Sequence, residues 1–158
     1  MIYYSLNKQA PNSNFENAVR KGLAPDRGLY FPEKITPLNA NFFDNLDELS
    51  NSEIATKAIQ QFIGTEIPKD ELKTIVEDTL NFDFPIVNIE KNISTLELFQ
   101  GPTMAFKDVG ARFMARCLGY FNRNNNSEVT VLVATSGDTG GAVASGFLGV
   151  KGVRVVIL

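Results

Sequence analysis

Two stretches of the chain carry residue types whose spacing suits chemistry. The first is Gly101-Pro102-Thr103-Met104-Ala105-Phe106-Lys107-Asp108, where a Gly-Pro turn leads into an amphipathic helix and places Lys107 at or just before its first turn. A helix N-terminus carries partial positive charge from its unsatisfied N–H groups, which disfavours an ammonium there. Apolar walls from Met104, Phe106 and Phe113 would disfavour the charge further by desolvation. A lysine kept partly neutral is the type that condenses with a carbonyl. The same residues also suit a plain structural role, in which Asp108 caps the helix and pairs with Arg112 one turn on. The second stretch, Ala134-Thr135-Ser136-Gly137-Asp138-Thr139-Gly140-Gly141, follows an apolar run and opens another helix. That is where open α/β sheets bind ligands. Its backbone N–H groups and the hydroxyls of Thr135, Ser136 and Thr139 would suit a carboxylate or a phosphate. An ordinary tight turn with a helix cap accounts for the same residues. Neither the Walker loop nor the dinucleotide fingerprint is present.

Both stretches sit within a succession of helices and strands. Residues 2–6 form a short strand, and Ser13-Asn14-Phe15-Glu16 has the form of a capping box opening a helix. The run Pro25-Asp26-Arg27-Gly28 is a turn, and residues 29–31 look extended and buried up to Pro32. Ser50-Asn51-Ser52-Glu53 opens a second capped helix with a stripe of Ile54, Ala55, Ala58, Ile59, Phe62 and Ile63. A third follows Pro68 with Leu72, Ile75, Val76 and Leu80 on one face. None of these three helices carries a catalytic set. From residue 81 the period changes, and 82–89 and 93–99 read as a strand pair. The Lys107 helix runs through Phe113, Met114, Cys117, Leu118 and Phe121. Residues 129–134 and 153–158 read as strands covered on both faces, joined by a small-residue helix from 140 to 148. The expected fold class is therefore α/β: a helical and mixed N-terminal domain over 1–94, then the start of a parallel βαβ sheet domain over 95–158. Two parallel strands cannot cover both faces and edges, so these residues are expected to be the N-terminal part of a longer protein, the rest of the sheet lying beyond Leu158.

Composition excludes several functions. There is no histidine among the 158 residues, which removes Ser-His-Asp and Cys-His catalysis and the commonest zinc sites. A net charge of −3 without a basic stripe argues against nucleic acid. No segment is long and apolar enough to span a bilayer, and the start lacks a secretory signature. The single cysteine, Cys117, cannot form an internal disulfide and reads as a buried, inert thiol, in keeping with a reducing, cytoplasmic compartment.

Taken together, the two motifs resemble those of the threonine synthase family, pyridoxal-phosphate enzymes of the tryptophan synthase β fold. Gly28-Leu29-Tyr30-Phe31-Pro32 is similar to that family's opening as well. The resemblance implies that Lys107 holds pyridoxal 5'-phosphate through its amine and later moves protons as general base. It implies that Thr135, Ser136, Gly137, Asp138 and Thr139 grip the substrate's carboxylate, with Asp138 also beside the cofactor ring. The implied reaction converts O-phospho-L-homoserine and water to L-threonine and phosphate. In this family the glycine-rich loop for the cofactor's phosphate and the group facing the pyridine nitrogen lie further along the sequence, so these residues alone are expected to bind the cofactor weakly and to be inactive. Two other readings stay open. One keeps the fold and changes the substrate, as in serine or threonine dehydratases and cysteine synthases; the other is a short non-catalytic paralogue acting as an interaction module.

Overall fold

The computed structural model describes every residue except Asn126 and Ser136. In sequence order its elements are β1 (Tyr3–Ser5), α1 (Phe15–Lys21), β2 (Tyr30–Pro32), α2 (Ala40–Asp44), a 3₁₀ turn (Leu46–Glu48), α3 (Asn51–Ile63), α4 (Lys69–Thr79), β3 (Ile86–Glu90), β4 (Ile93–Leu96), α5 (Lys107–Asn122), β5 (Val129–Val133), α6 (Asp138–Phe147) and β6 (Val153–Ile157). They divide into two compact units, Met1–Glu77 and Asp78–Leu158.

In the first unit β1 and β2 pair antiparallel, with Tyr4 opposite Phe31. The Tyr3 ring is buried and its hydroxyl donates to the Phe62 carbonyl at 2.7 Å, which ties β1 to α3. Burial, then the nearby Glu66 carboxylate, pushes that hydroxyl's pKa up to about 12. Ser50 and Glu53 form the expected capping box on α3. Helix α1 starts one residue later than its motif suggests. Ser13 is drawn into a bridge with Tyr3, Asn14 becomes the cap, and the Glu66 carboxylate accepts from the Phe15 and Glu16 N–H groups. The segment before Pro32 is extended but not buried, since Leu29 and Phe31 are both exposed. Ile63, Ile67, Leu72, Ile75 and Val76 are buried together with Tyr3, Ala24 and Phe42 in this unit.

The turn ahead of β2 is organised by Asp26, whose carboxylate accepts from Ser5 Oγ at 2.6 Å and from the Gly28 and Gln9 N–H groups. These bonds, Ser5's foremost, hold its carboxyl below the usual carboxylate range. A lowered value means that the stabilisation is present above the unfolded-state value of about 3.9 and fades as pH falls through the folded one. Asp26→Asn is therefore expected to lower the melting temperature by a few degrees at pH 7. The gap to the parent should narrow in acid, once pH falls below the unfolded-state value and through the lower folded one, and thermal melts at pH 7 and along an acid series check this.

In the second unit β3 and β4 make an antiparallel hairpin, and every residue of both strands is exposed. Phe82 and Phe84 lie outside the strand and pack ring against ring at 4.8 Å. β5 and β6 are parallel, with Val129 opposite Val153 and Val133 opposite Ile157. Helix α6, between them, begins at Asp138, two residues before the expected start. One face of the pair is not covered by the described residues: burial alternates along β5, and Leu132 is 66% exposed.

Helices α5 and α6 pack closely and run in the same direction. Gly146 lies against the Ala111 backbone, Arg116 Nη1 donates to the Gly146 carbonyl at 2.9 Å, and Asn122 Nδ2 donates to the Gly152 carbonyl at 2.7 Å. Cys117 is fully buried on α5, as its place in the apolar pattern suggests, and burial pushes its thiol up to about 12. A free thiol titrates near 8.5 and is partly ionised at pH 8, whereas one raised this far offers almost no thiolate to react. Alkylation of Cys117 in the folded protein is expected to be at least about tenfold slower than in urea, read by mass spectrometry against time.

Candidate functional site

Lys107 is the first residue of α5, and the residue before it, Phe106, has helical dihedrals and no side-chain capping bond. The lysine is half-buried, with Nζ 5.5 Å from the centroid of the Phe106 ring. Among the described residues its ammonium meets no carboxylate and no hydrogen-bond acceptor. The expected apolar wall is only partly built, because Met104 and Phe106 are 79% and 64% exposed while Phe113 is half-buried.

The turn ahead of Lys107 is tightly specified. Met104 sits at φ 55°, a left-handed conformation that costs a non-glycine residue about 1–3 kcal/mol. Its N–H donates to the Gly101 carbonyl at 3.1 Å. Asp108, wholly buried, accepts from the Thr103 N–H at 2.9 Å and from Thr103 Oγ1 at 2.6 Å. It does not pair with Arg112, whose Nη2 donates instead to the Asp78 carbonyl at 2.5 Å and to Asn81 Oδ1 at 2.8 Å.

The second motif follows the end of β5 and runs into the start of α6. Gly137 precedes the helix at φ 71°, and α6 has no side-chain cap. Its leading N–H groups therefore have no side-chain partner among the described residues. Thr135 and Thr139 are half-buried, Asp138 and Gly137 exposed; Ser136 lies outside the described residues. Gly140 packs beside Thr135 and Ile157, which sets the start of α6 over the finishing ends of both parallel strands.

The two motifs come to the same end of this unit. Asn122, the last residue of α5, is tied to Gly152 just before β6 begins. From there α5 runs back about 24 Å, past the roughly 17 Å length of β6. Both helix starts, with Lys107 on one and residues 137–139 on the other, thus lie where the strands finish. An amine and a row of leading N–H groups, neither with a side-chain partner among the described residues, can together hold a carbonyl compound and an anion. The donor set therefore fits a carbonyl cofactor together with a carboxylate-bearing substrate. The cleft of about 900 Å³ in the Met1–Glu77 unit, lined by Phe42, Thr56, Ile67 and Lys73 among others, contains none of these residues.

The sequence model of the family described as Threonine synthase N terminus matches residues 2–80, half of the chain. The chain belongs to the threonine synthase family. A threonine synthase of Buchnera aphidicola (subsp. Baizongia pistaciae) is 44% identical over 159 residues, and that of Escherichia coli K12 is 40% identical over 158; each alignment takes in 100% of this chain. The chain spans about 37% of the length of the curated relatives it matches. The crystal structure of the E. coli threonine synthase superposes with a TM-score of 0.91, covering 99% of this chain and 36% of that one. A Brucella melitensis threonine synthase, solved with PLP bound, superposes at 0.93 with 36% identity, covering 99% of this chain and 35% of its own. The expected α/β fold thus agrees with solved threonine synthases over about a third of their length.

The back-bond from Asp108 to Thr103 was not legible in the sequence. Its signal, an acid five residues after the threonine that follows Gly101-Pro102, has the same form as an ordinary N-terminal acid. Arg112 likewise reads as a helix-surface partner of Asp108, whereas its Nε is buried without a hydrogen-bond partner among the described residues.

Proposed function

We propose that this chain supplies the catalytic lysine and the substrate-carboxylate loop of a threonine synthase, which forms L-threonine and phosphate from O-phospho-L-homoserine and water. The observation that carries the reading is the uncapped start of α5, which presents Lys107, unpartnered among the described residues, at the strand end where α6 also starts. Lys107 would hold pyridoxal 5'-phosphate, and when bound that cofactor supplies an electron sink for negative charge developing next to the amino acid's α carbon.

The protein's own residues do the rest. The open N–H groups at 137–139 and the hydroxyls of Thr135, Ser136 and Thr139 take the substrate's α-carboxylate and orient its Cα–H bond. The Lys107 amine moves the proton at Cα and acts as general base for the steps in which phosphate leaves Cγ and water adds at Cβ. Asp138, exposed at the first position of α6, would border the cofactor ring. We further propose that residues 1–94 form the N-terminal domain and 95–158 the start of the cofactor-binding domain. Residues beyond Leu158 would cover the open face of β5 and β6 and bring the groups for the cofactor's phosphate and ring nitrogen. We also propose that the reaction runs in the cytoplasm, with which a single cysteine that forms no internal disulfide is compatible.

The test is a hybrid in which these residues replace the matching 36% of the E. coli threonine synthase. The hybrid is expected to release threonine and phosphate in equal amounts from O-phosphohomoserine and to restore growth to a threonine auxotroph. A folded hybrid that deaminates serine or threonine instead would point to a dehydratase. One that binds no cofactor and is inactive would point to an interaction module.

A further inference from the structure

A helix start is normally fixed by a capping side chain at the residue before it. Helix α5 has none: Phe106 is in the helical region and offers no acceptor. Lys107 follows immediately, so whatever fixes the entry of the backbone also fixes the direction in which the lysine leaves it. Among the described residues, the side chain that bonds back across the turn is Asp108. Both of its carboxylate oxygens are spent on Thr103, one on the N–H and one on the hydroxyl. Gly101 closes against the same group, and a Cβ there would lie 2.6 Å from Asp108 Oδ2, so the carboxylate is built into the turn. Met104, between them, holds its left-handed conformation inside this clamp.

We propose that Asp108 is a positioning residue for Lys107: through Thr103 its buried carboxylate locks the strained turn over residues 101–106 and thereby sets where the lysine amine points. The proposal deepens the catalytic reading and rests on it for the consequence to cofactor capture, although the geometric claim is independent of any cofactor. It also accounts for a buried carboxylate without an ionic partner among the described residues: two hydrogen bonds and the N-terminal end of α5 offset its desolvation.

The experiment uses the hybrid enzyme with Thr103→Val, Thr103→Ser, Asp108→Asn and Asp108→Ala. Three quantities are read: borohydride trapping of pyridoxal phosphate at Lys107 by peptide mapping, competitive acetylation of Lys107 against the other lysines in cofactor-free protein, and the thermal melt. Thr103→Val is expected to slow trapping by about tenfold or more and to change the acetylation of Lys107 severalfold, with the other lysines unchanged. Thr103→Ser should restore both. Asp108→Asn, which can accept from the N–H and donate to the hydroxyl, should fall between parent and Asp108→Ala. If acetylation of Lys107 stays at the parental rate in both Thr103→Val and Asp108→Ala, or changes only together with every other lysine as melting falls, the positioning role is wrong. If the parent hybrid captures the cofactor at another lysine or not at all, the catalytic reading fails, and the acetylation pattern still decides the role of Asp108. Thr103→Val removes only the hydroxyl bond, so the decision does not depend on Asp108→Ala folding.

Discussion

Lys107→Ala in the hybrid enzyme is expected to lower threonine formation by about a thousandfold or more while the melting temperature stays at the parental value. The size follows from two losses in one side chain, the covalent anchor for the cofactor and the base that moves the substrate's proton. Stability should be spared because the ammonium has no ion pair or hydrogen bond among the described residues and only the Phe106 ring beside it. Replacing such a half-exposed group costs within about 0.5 kcal/mol. Lys107→Arg separates charge from chemistry: it keeps a cation at the start of α5 but offers no neutral amine, so it should be as inactive as alanine. Activity of Lys107→Arg within tenfold of the parent would show that the lysine serves only as a counter-charge and would remove it from the catalytic role.

What the sequence revealed and what it withheld divide along local and non-local physics. Helices α3, α4 and α5 and strands β5 and β6 were legible because their signals are local: a Ser50–Glu53 capping box, apolar residues at helical spacing, and short continuous apolar runs. The short helix α2 was missed because five residues hold too little period to register, although Asn39 caps it. The start of α1 moved by a residue because Ser13 is used by Tyr3 and because Glu66, fifty residues away in sequence, takes up the first N–H groups of the helix. At the site, Lys107's place on its helix was readable from the Gly-Pro turn, and the second motif's place at a strand end from the run before it. Burial was not. Nothing in Met104 or Phe106 foretells that both face solvent here, because exposure is set by what packs opposite.

Gly146→Val is expected to weaken the second unit by about 2 kcal/mol and to disturb the site from a distance. A Cβ at this position would lie 3.0 Å from the Ala111 carbonyl carbon and 3.2 Å from both its oxygen and the Arg112 nitrogen. These neighbours are helix backbone, which cannot rotate aside as a side chain would. Overpacking of this kind costs about 1–3 kcal/mol, and a valine with two further methyl groups belongs at the upper end. Gly146 is the next-to-last residue of α6, so replacing it returns less than the roughly 1 kcal/mol of a helix interior, which leaves the net loss near the value stated. Gly146→Ala adds only the Cβ and keeps the larger part of the propensity gain open to this position, so it should lie close to the parent. Because the two units need not unfold together, the reporter must sit on α5. Alkylation of Cys117 across a urea series does this, and its midpoint should fall in Gly146→Val and hold in Gly146→Ala. Ala111 lies one turn beyond Lys107, so forcing α6 away from α5 also shifts the start of the lysine's helix, and trapping at Lys107 should decline in the valine variant under conditions where it is still folded. A parental urea midpoint in Gly146→Val would mean that the helices separate without cost, and that their close crossing does not hold the two motifs at one end of the sheet.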